Sequence, residues 1–291
     1  MDVYAIVTEK IINMLEQGVV PWRRPWISTG LPRNVVSKKP YRGINYFLLS
    51  ASEYVSPFWL TMRQANQLGG HVRKGEESTI VVFWKVDDLK QSGEDLDPNE
   101  NDDKNRRRFL LRYYRVFNLE QCELPQVVLD KLPKTETHQH APIGECAEIM
   151  GCMPNAPEIV HAGSKAFYSL STDRVTLPAP ELFTSAAEYY ATGFHELIHS
   201  TGHEKRLARA SILEAAPFES PTYSVEELVA EMGAAYLCAE SGISPTVIEN
   251  QAAYVSGWLK KLRDDRKLVV RAAAHAQQAS DYVLGKAPTA V

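Results

Sequence analysis

The feature that most constrains this chain is the run His195-Glu196-Leu197-Ile198-His199. Two histidines four apart share a face only on a helix, where they stand one turn apart and can chelate a single ion. The run lies in a helix-forming stretch, residues 186–200, that contains Tyr189, Tyr190, Phe194 and Leu197 and is stopped by Gly202. Glu196 falls about 100° round the helix from His195, close enough to reach water on the ion but turned too far to ligate it. Neutral imidazoles hold Zn²⁺, with another divalent ion such as Mn²⁺ as the alternative, and the ion brings the pKa of water to about 7. A carboxylate beside it can take that proton and pass it to a leaving amine. The spacing thus marks His195 and His199 as metal ligands and Glu196 as the catalytic base of a hydrolase of the HExxH type.

A site of this kind needs a third protein ligand and an open position. The segment from Glu226 to Tyr236 supplies candidates, because Glu227 and Glu231 share one helix face in an otherwise apolar stretch. Two carboxylates there are costly to bury without a cation or a donor. The reading is gluzincin-like: Glu227 is the first choice as third ligand and Glu231 the second, the other acid orienting a ligand histidine through its free N–H. His203 is a further alternative, although it follows Gly202 by one residue rather than the three of the metzincin pattern, which suits a substrate or outer contact better. Asp173, on a strand before the motif helix, is a candidate for lining the cleft, as is Tyr168.

The charge is unevenly spread. Residues 17–86 hold ten Lys or Arg against three acids, and residues 151–291 hold twelve against sixteen. A basic front and an acidic back point to two parts with different partners. In the front part, cations alternate with aromatics: Trp22, Arg23, Arg24, Trp26, Tyr41, Arg42, Tyr46, Trp59, Arg63, Arg73 and Lys74. A cationic groove with aromatic faces is what holds single-stranded nucleic acid. No stretch has the 18 or more apolar residues of a membrane helix, so no membrane partner is expected. The N-terminus lacks the pattern of a secretory signal, so a cytoplasmic location is expected. Cys122, Cys146, Cys152 and Cys238 are too few and too scattered for a disulfide framework and read as reduced thiols.

Periodicity gives helices at 3–17, 41–53 and from Thr61 to Gly69-Gly70, then strands at 71–74, 78–86 and 106–116. The acidic stretch 87–105 reads as a solvated loop. Residues 131–141, rich in threonine, histidine and proline, read as a linker. Short strands at 158–161, 166–170 and 174–178 follow, and then helices at 186–200, 224–241, 249–268 and 270–284. Strands followed by helices make the class α+β. The expected organisation is a mixed α/β DNA-binding domain at 1–130, the linker, and a zincin-like domain at 142–291 with a small sheet and the HExxH helix.

Several segments together resemble a known family. Trp22 to Trp26, Tyr41-Arg42-Gly43-Ile44-Asn45, the run from Trp59 to Ala65 and Lys74-Gly75-Glu76 resemble the N-terminal domain of ArdC-type antirestriction proteins. The runs Asp173 to Pro178, His195 to His203 with Arg206-Leu207, and Glu226 to Tyr236 resemble that family's zincin-like C-terminal domain. The acidic insert between Val86 and Arg106 departs from the pattern. The resemblance implies binding of single-stranded DNA, a metallopeptidase-like site of the architecture found in Spartan-type crosslink proteases, and protection of incoming plasmid DNA from host restriction. It leaves the protein substrate, of the host restriction system or otherwise, unnamed. A DNA-binding shield with a structural or vestigial metal site, and a metalloprotease effector delivered to another cell, are the alternative readings.

Overall fold

A computed structural model of the chain describes residues 2–17, 20–22, 31–52, 54, 56–87, 108–132, 142–183, 185–213, 221–243 and 251–286. Asp2 accepts the Tyr4 amide and starts α1, Val3–Glu16, whose apolar residues Val7, Ile11 and Leu15 face inward at helical spacing. β1, Arg33–Asn34, leads to α2, Ile44–Ser50. That helix is shorter than its sequence suggests because Gly43, with φ at +58°, turns the chain just before it. β2, Phe58–Leu60, precedes α3, Met62–Gln67, where Thr61 caps the Gln64 amide and Gln64 reaches back to Thr61, as the sequence allowed. β3, His71–Val72, β4, Thr79–Asp87, β5, Arg108–Asn118, β6, Cys122–Glu123, and α4, Gln126–Leu129, complete this half.

The second half opens with α5, Pro142–Cys152, a helix hidden in the sequence by two internal glycines. β7, Glu158–His161, β8, Phe167–Ser169, and β9, Arg174–Leu177, follow. The helices are α6, Ala186–Ser200, α7, Ala210–Leu213, α8, Pro221–Ser241, α9, Gln251–Asp264, and α10, Leu268–Val283. The α+β class holds. Most of the acidic stretch 87–105 and of the 131–141 linker lies outside the described residues.

The front sheet runs β1-β2-β5-β4, with β1 and β2 parallel and the other pairs antiparallel. β4 is its edge, and Asn45 of α2 closes it: the side-chain amide donates to the Val82 carbonyl at 2.7 Å and accepts the Val82 N–H at 2.6 Å. β3 and β6 make a separate pair. The rear sheet is β7-β9-β8, with β7 and β9 parallel.

One apolar cluster spans both halves. Val7, Ile11, Trp22, Ile44, Tyr46 and Phe47 pack in the same cluster as α6, α8, α9 and α10. Trp22 meets Trp258 of α9 at 5.4 Å, and Phe47 meets Tyr236 of α8 at 4.8 Å, within the range of favourable ring pairs. Polar ties reinforce the contact at one turn. The Tyr236 hydroxyl donates to the Gly43 carbonyl at 2.7 Å, the Gly43 N–H donates to Gln277 at 3.1 Å, and Arg42 is ion-paired with Asp281.

A shared core of this kind unfolds as a unit. Urea unfolding followed by tryptophan fluorescence and by far-UV circular dichroism should give one coincident transition. Phe47→Ala should lower stability by about 3–5 kcal/mol while keeping the two probes together. Two separated transitions would show that the halves are energetically independent.

Candidate metal centre

α6 starts where the Ser185 hydroxyl accepts the Glu188 amide at 3.2 Å. Its buried face carries Ala191, Phe194, Leu197 and Ile198, and the adjoining face presents His195 and His199 to α8. α8 can come this close because residue 233 is glycine: a methyl there would lie 2.8 Å from three carbons of Ile198. The stop after α6 needs glycine for the same reason, since a Cβ at Gly202 would lie 2.4 Å from Ile212.

The close crossing brings three expected residues together. The Nε2 atoms of His195 and His199 are 3.1 Å apart, and each is 3.5 Å from one oxygen of the Glu227 carboxylate. Taking one donor atom from each residue, the three lie within 4.8 Å of one another, and no other group of three His, Cys, Asp or Glu among the described residues does so. Two ligand atoms at about 2.0–2.1 Å from one tetrahedral ion are separated by roughly 3.3 Å, so these donors fit a divalent metal with a position left open.

Glu226, which sequence reasoning passed over, completes the arrangement. It lies 3.4 Å from Nδ1 of His199, and a neutral His199 that donates this N–H presents its Nε2 lone pair to Glu227 and His195. Arg209 holds the Glu226 carboxylate with two hydrogen bonds, 3.2 Å from Nε and 2.5 Å from Nη2, and Ser211 adds a third at 2.5 Å. Arg209 also donates to the Ile198 carbonyl at 2.8 Å and to the Thr201 hydroxyl, tying the end of α6 to α8. Burial disfavours charge on all four groups, yet the opposite charges prevail. Both imidazoles titrate above 6.5, pulled up by Glu227 and, for His199, also by Glu226; the two carboxylates titrate well below 4.5. Glu196 is buried beside the pair.

Glu231 and His203 are buried but stand outside the cluster. The His203 ring instead accepts the Lys205 amide at 3.1 Å, within the turn that follows α6. Asp173, at φ +48°, is engaged by Arg206, whose side chain is 1% exposed and also donates to the Ser200 and Asn155 carbonyls. The Tyr168 hydroxyl donates to Asp173 at 2.9 Å. Asp173 and Tyr168 therefore brace α6 against the rear sheet.

Trp22 and Trp59, expected as base-stacking faces, are corrected to core residues: they are 0% and 1% exposed, with no face left for a ligand. Tyr41 is also buried, while Arg42, Arg63, Arg73 and Lys74 are exposed. Arg73 is engaged by the Glu120 carbonyl and by Glu76. Arg23, Arg24 and Trp26 lie outside the described residues. Among the described residues of the front half, the exposed aromatics are elsewhere, on the β4–β5 hairpin: Phe83, Tyr113 and Tyr114, alongside exposed Arg112 and Arg115. Alternation at 109–114 signalled the strand β5, but neither its pairing with β4 nor which side chains the packing leaves outside.

Asp173 titrates below its ordinary 3.8 because the hydrogen bonds from Arg206 and Tyr168 and the Arg206 charge outweigh the opposing effect of burial. Its contribution to stability is then complete above pH 5 and is lost as pH falls below about 3.8. Asp173→Asn should cost about 2 kcal/mol at pH 7 and flatten the acid limb of stability against pH. A variant with an unchanged acid limb would remove Asp173 from the brace.

Comparison with known proteins identifies the family of both halves. Residues 1–117 match the family described as the N-terminal domain of anti-restriction factor ArdC, and residues 152–275 match the zincin-like metallopeptidase family. An uncharacterized protein of Sinorhizobium fredii, y4eC, is 34% identical, with 97% of this chain and 91% of the relative aligned. A DNA primase, TraC of Escherichia coli, is 38% identical over 97% of this chain, which spans only 20% of the primase. Among solved structures, the antirestriction protein ArdC from plasmid R388 superposes with a TM-score of 0.76 in its metal-free form, at 34% identity and covering 98% of this chain and 97% of that one. Its Mn(II)-bound form superposes with a TM-score of 0.74 at 33% identity. With both halves matched in order and at these identities along nearly its whole length, this chain belongs to the ArdC antirestriction family.

Proposed function

We propose that the chain is an antirestriction protein of a mobile element, that it binds single-stranded DNA through residues 1–130, and that residues 142–291 hydrolyse peptide bonds. The observation that carries the peptidase reading is the convergence of His195, His199 and Glu227, with Glu196 one residue from the first ligand. In this reading His195, His199 and Glu227 hold Zn²⁺, with Mn²⁺ as a substitute. When bound, the ion supplies Lewis acidity for amide hydrolysis and acidifies water. Glu226, fixed by Arg209 and Ser211, keeps His199 in the ligating tautomer and orientation. Glu196 takes the proton from the attacking water at its carboxylate and delivers it to the amide nitrogen as the C–N bond breaks. The edge strand β8, which packs beside α6, offers backbone groups to an extended peptide substrate. The DNA reading rests on the family and on the exposed aromatic and arginine side chains of the β4–β5 hairpin. A protein of the host restriction system is the substrate class that fits an antirestriction role.

The purified protein should hold about one divalent ion per chain, with zinc the majority metal. Glu196→Gln should keep that ion and lose at least 100-fold in cleavage of a susceptible protein. Loss of the metal in this variant would mean that the ligand set is misassigned. Glu227→Gln should lose the metal, and Glu226→Gln should retain it with about 10- to 100-fold weaker affinity, as measured by chelator competition.

Binding of a single strand to the full chain should weaken with salt, by about 0.7 log units per log unit of salt for each phosphate contact. Affinity independent of salt would rule out a strand held through its phosphates.

A further inference from the structure

A cleft of about 840 Å³ lies between the front half and α10, a volume within the usual range of ligand pockets, roughly 300–1,000 Å³. Val82, Leu111, Val270 and Ala274 give it an apolar lining. Phe83 forms part of one wall and is 46% exposed; its ring lies 6.3 Å from that of Tyr41 and 5.7 Å from that of Tyr114. Gln278 of α10 also lines the cleft, and Arg42 and Lys286 place positive charge along it, each held by an acid, Asp281 and Glu240.

The pairing of β4 with β5 puts Phe83 on the opposite face of the pair from Val82 and Leu111, so the cleft meets side chains from both faces of the edge strand β4. Phe83 is opposite Arg112, and Val81 is opposite Tyr114, so Phe83, Arg112 and Tyr114 stand on one face of the hairpin. Among the described side chains of β4 and β5, the charged ones are Arg112 and Arg115, and both are exposed. An apolar cleft with an aromatic wall, a polar amide and two ion-paired cations at its side suits a planar base on a phosphate chain. A peptide would need none of the flat ring faces and would find few backbone partners in an apolar lining.

We propose that this cleft receives one unpaired base of a single DNA strand whose neighbouring bases stack on Phe83 and Tyr114. The proposal rests on the single-strand reading above and names where the strand engages. It also accounts for the burial of Trp22 and Trp59: the stacking surface belongs to the hairpin, and the tryptophans belong to the core.

The test uses the full chain with a labelled deoxythymidine strand of about 15 nucleotides and with an abasic strand of equal length, measured by fluorescence anisotropy. The wild-type protein should bind the thymidine strand about tenfold or more tightly than the abasic one. Phe83→Ala should remove about tenfold of the thymidine affinity and leave abasic binding unchanged. Ala274→Phe, which fills the apolar lining, should do the same, with the urea midpoint checking that it folds. Phe83→Ala, at an exposed position, decides the matter should Ala274→Phe fail to fold. Thymidine binding that both variants leave intact, or equal affinity for the abasic strand, would overturn the cleft assignment and leave the single-strand reading standing. Absence of binding to either strand by the wild-type protein would overturn both.

Discussion

Two adjacent carboxylates, Glu226 and Glu227, are carried into the interior on α8 and meet the two imidazoles of α6 there. Burying such ions costs several kcal/mol each unless opposite charge is placed against them. For Glu226 the charge comes from Arg209, reinforced by Ser211. For Glu227 the described neighbours are the histidines themselves, which is the electrostatic reason to place a divalent cation among the three. The remainder of the rear half supports this crossing. Gly233 lets the helices touch, and its carbonyl accepts the Ser280 hydroxyl of α10 at 3.1 Å, so three helices meet at one point. Arg206 and Asp173 fasten the far end of α6 to the sheet.

The front half is joined to the same helices. Tyr236 lies on α8, two and a half turns beyond Glu227, and donates to Gly43, while α10 holds the next contacts through Gln277 and Asp281. The turn at Arg42-Gly43 is thus bonded both to the helix that carries Glu226 and Glu227 and to the helix that backs it. A strand bound along the hairpin and a peptide bound beside α6 would act on one continuous core. In an ArdC-family protein this gives a physical route by which the two proposed activities can feel one another.

Much of this was legible in the residues alone. The bounds of α6 follow from its start at Ser185 and its stop at Gly202, and the spacing of His195 and His199 required their shared face. Glu227 was accessible too, as an acid on an apolar helix. Glu226 was not. Reasoning by four-residue spacing favours Glu231 as the orienting acid, because it repeats the face of Glu227. The acid that reaches His199 lies instead one residue before Glu227, and its role depends on Arg209, just before α7, and Ser211, on that four-residue helix, which is too short to show a period. The tryptophans failed for a related reason: Trp and Tyr serve equally well as core anchors and as stacking faces, and tertiary packing alone decides between them. The two- and three-residue strands β1 and β2 are too short to show alternation, and the two glycines of α5 masked its helical period.

The most direct test of the central claim is an anomalous difference map from crystals of the full chain grown with zinc, collected on either side of the zinc edge. The account predicts one strong peak bounded by Nε2 of His195, Nε2 of His199 and the Glu227 carboxylate, with Glu226 remaining on His199 rather than on the metal. A peak ligated by Glu231 or His203, or a zinc-loaded protein with no peak between α6 and α8, would contradict it.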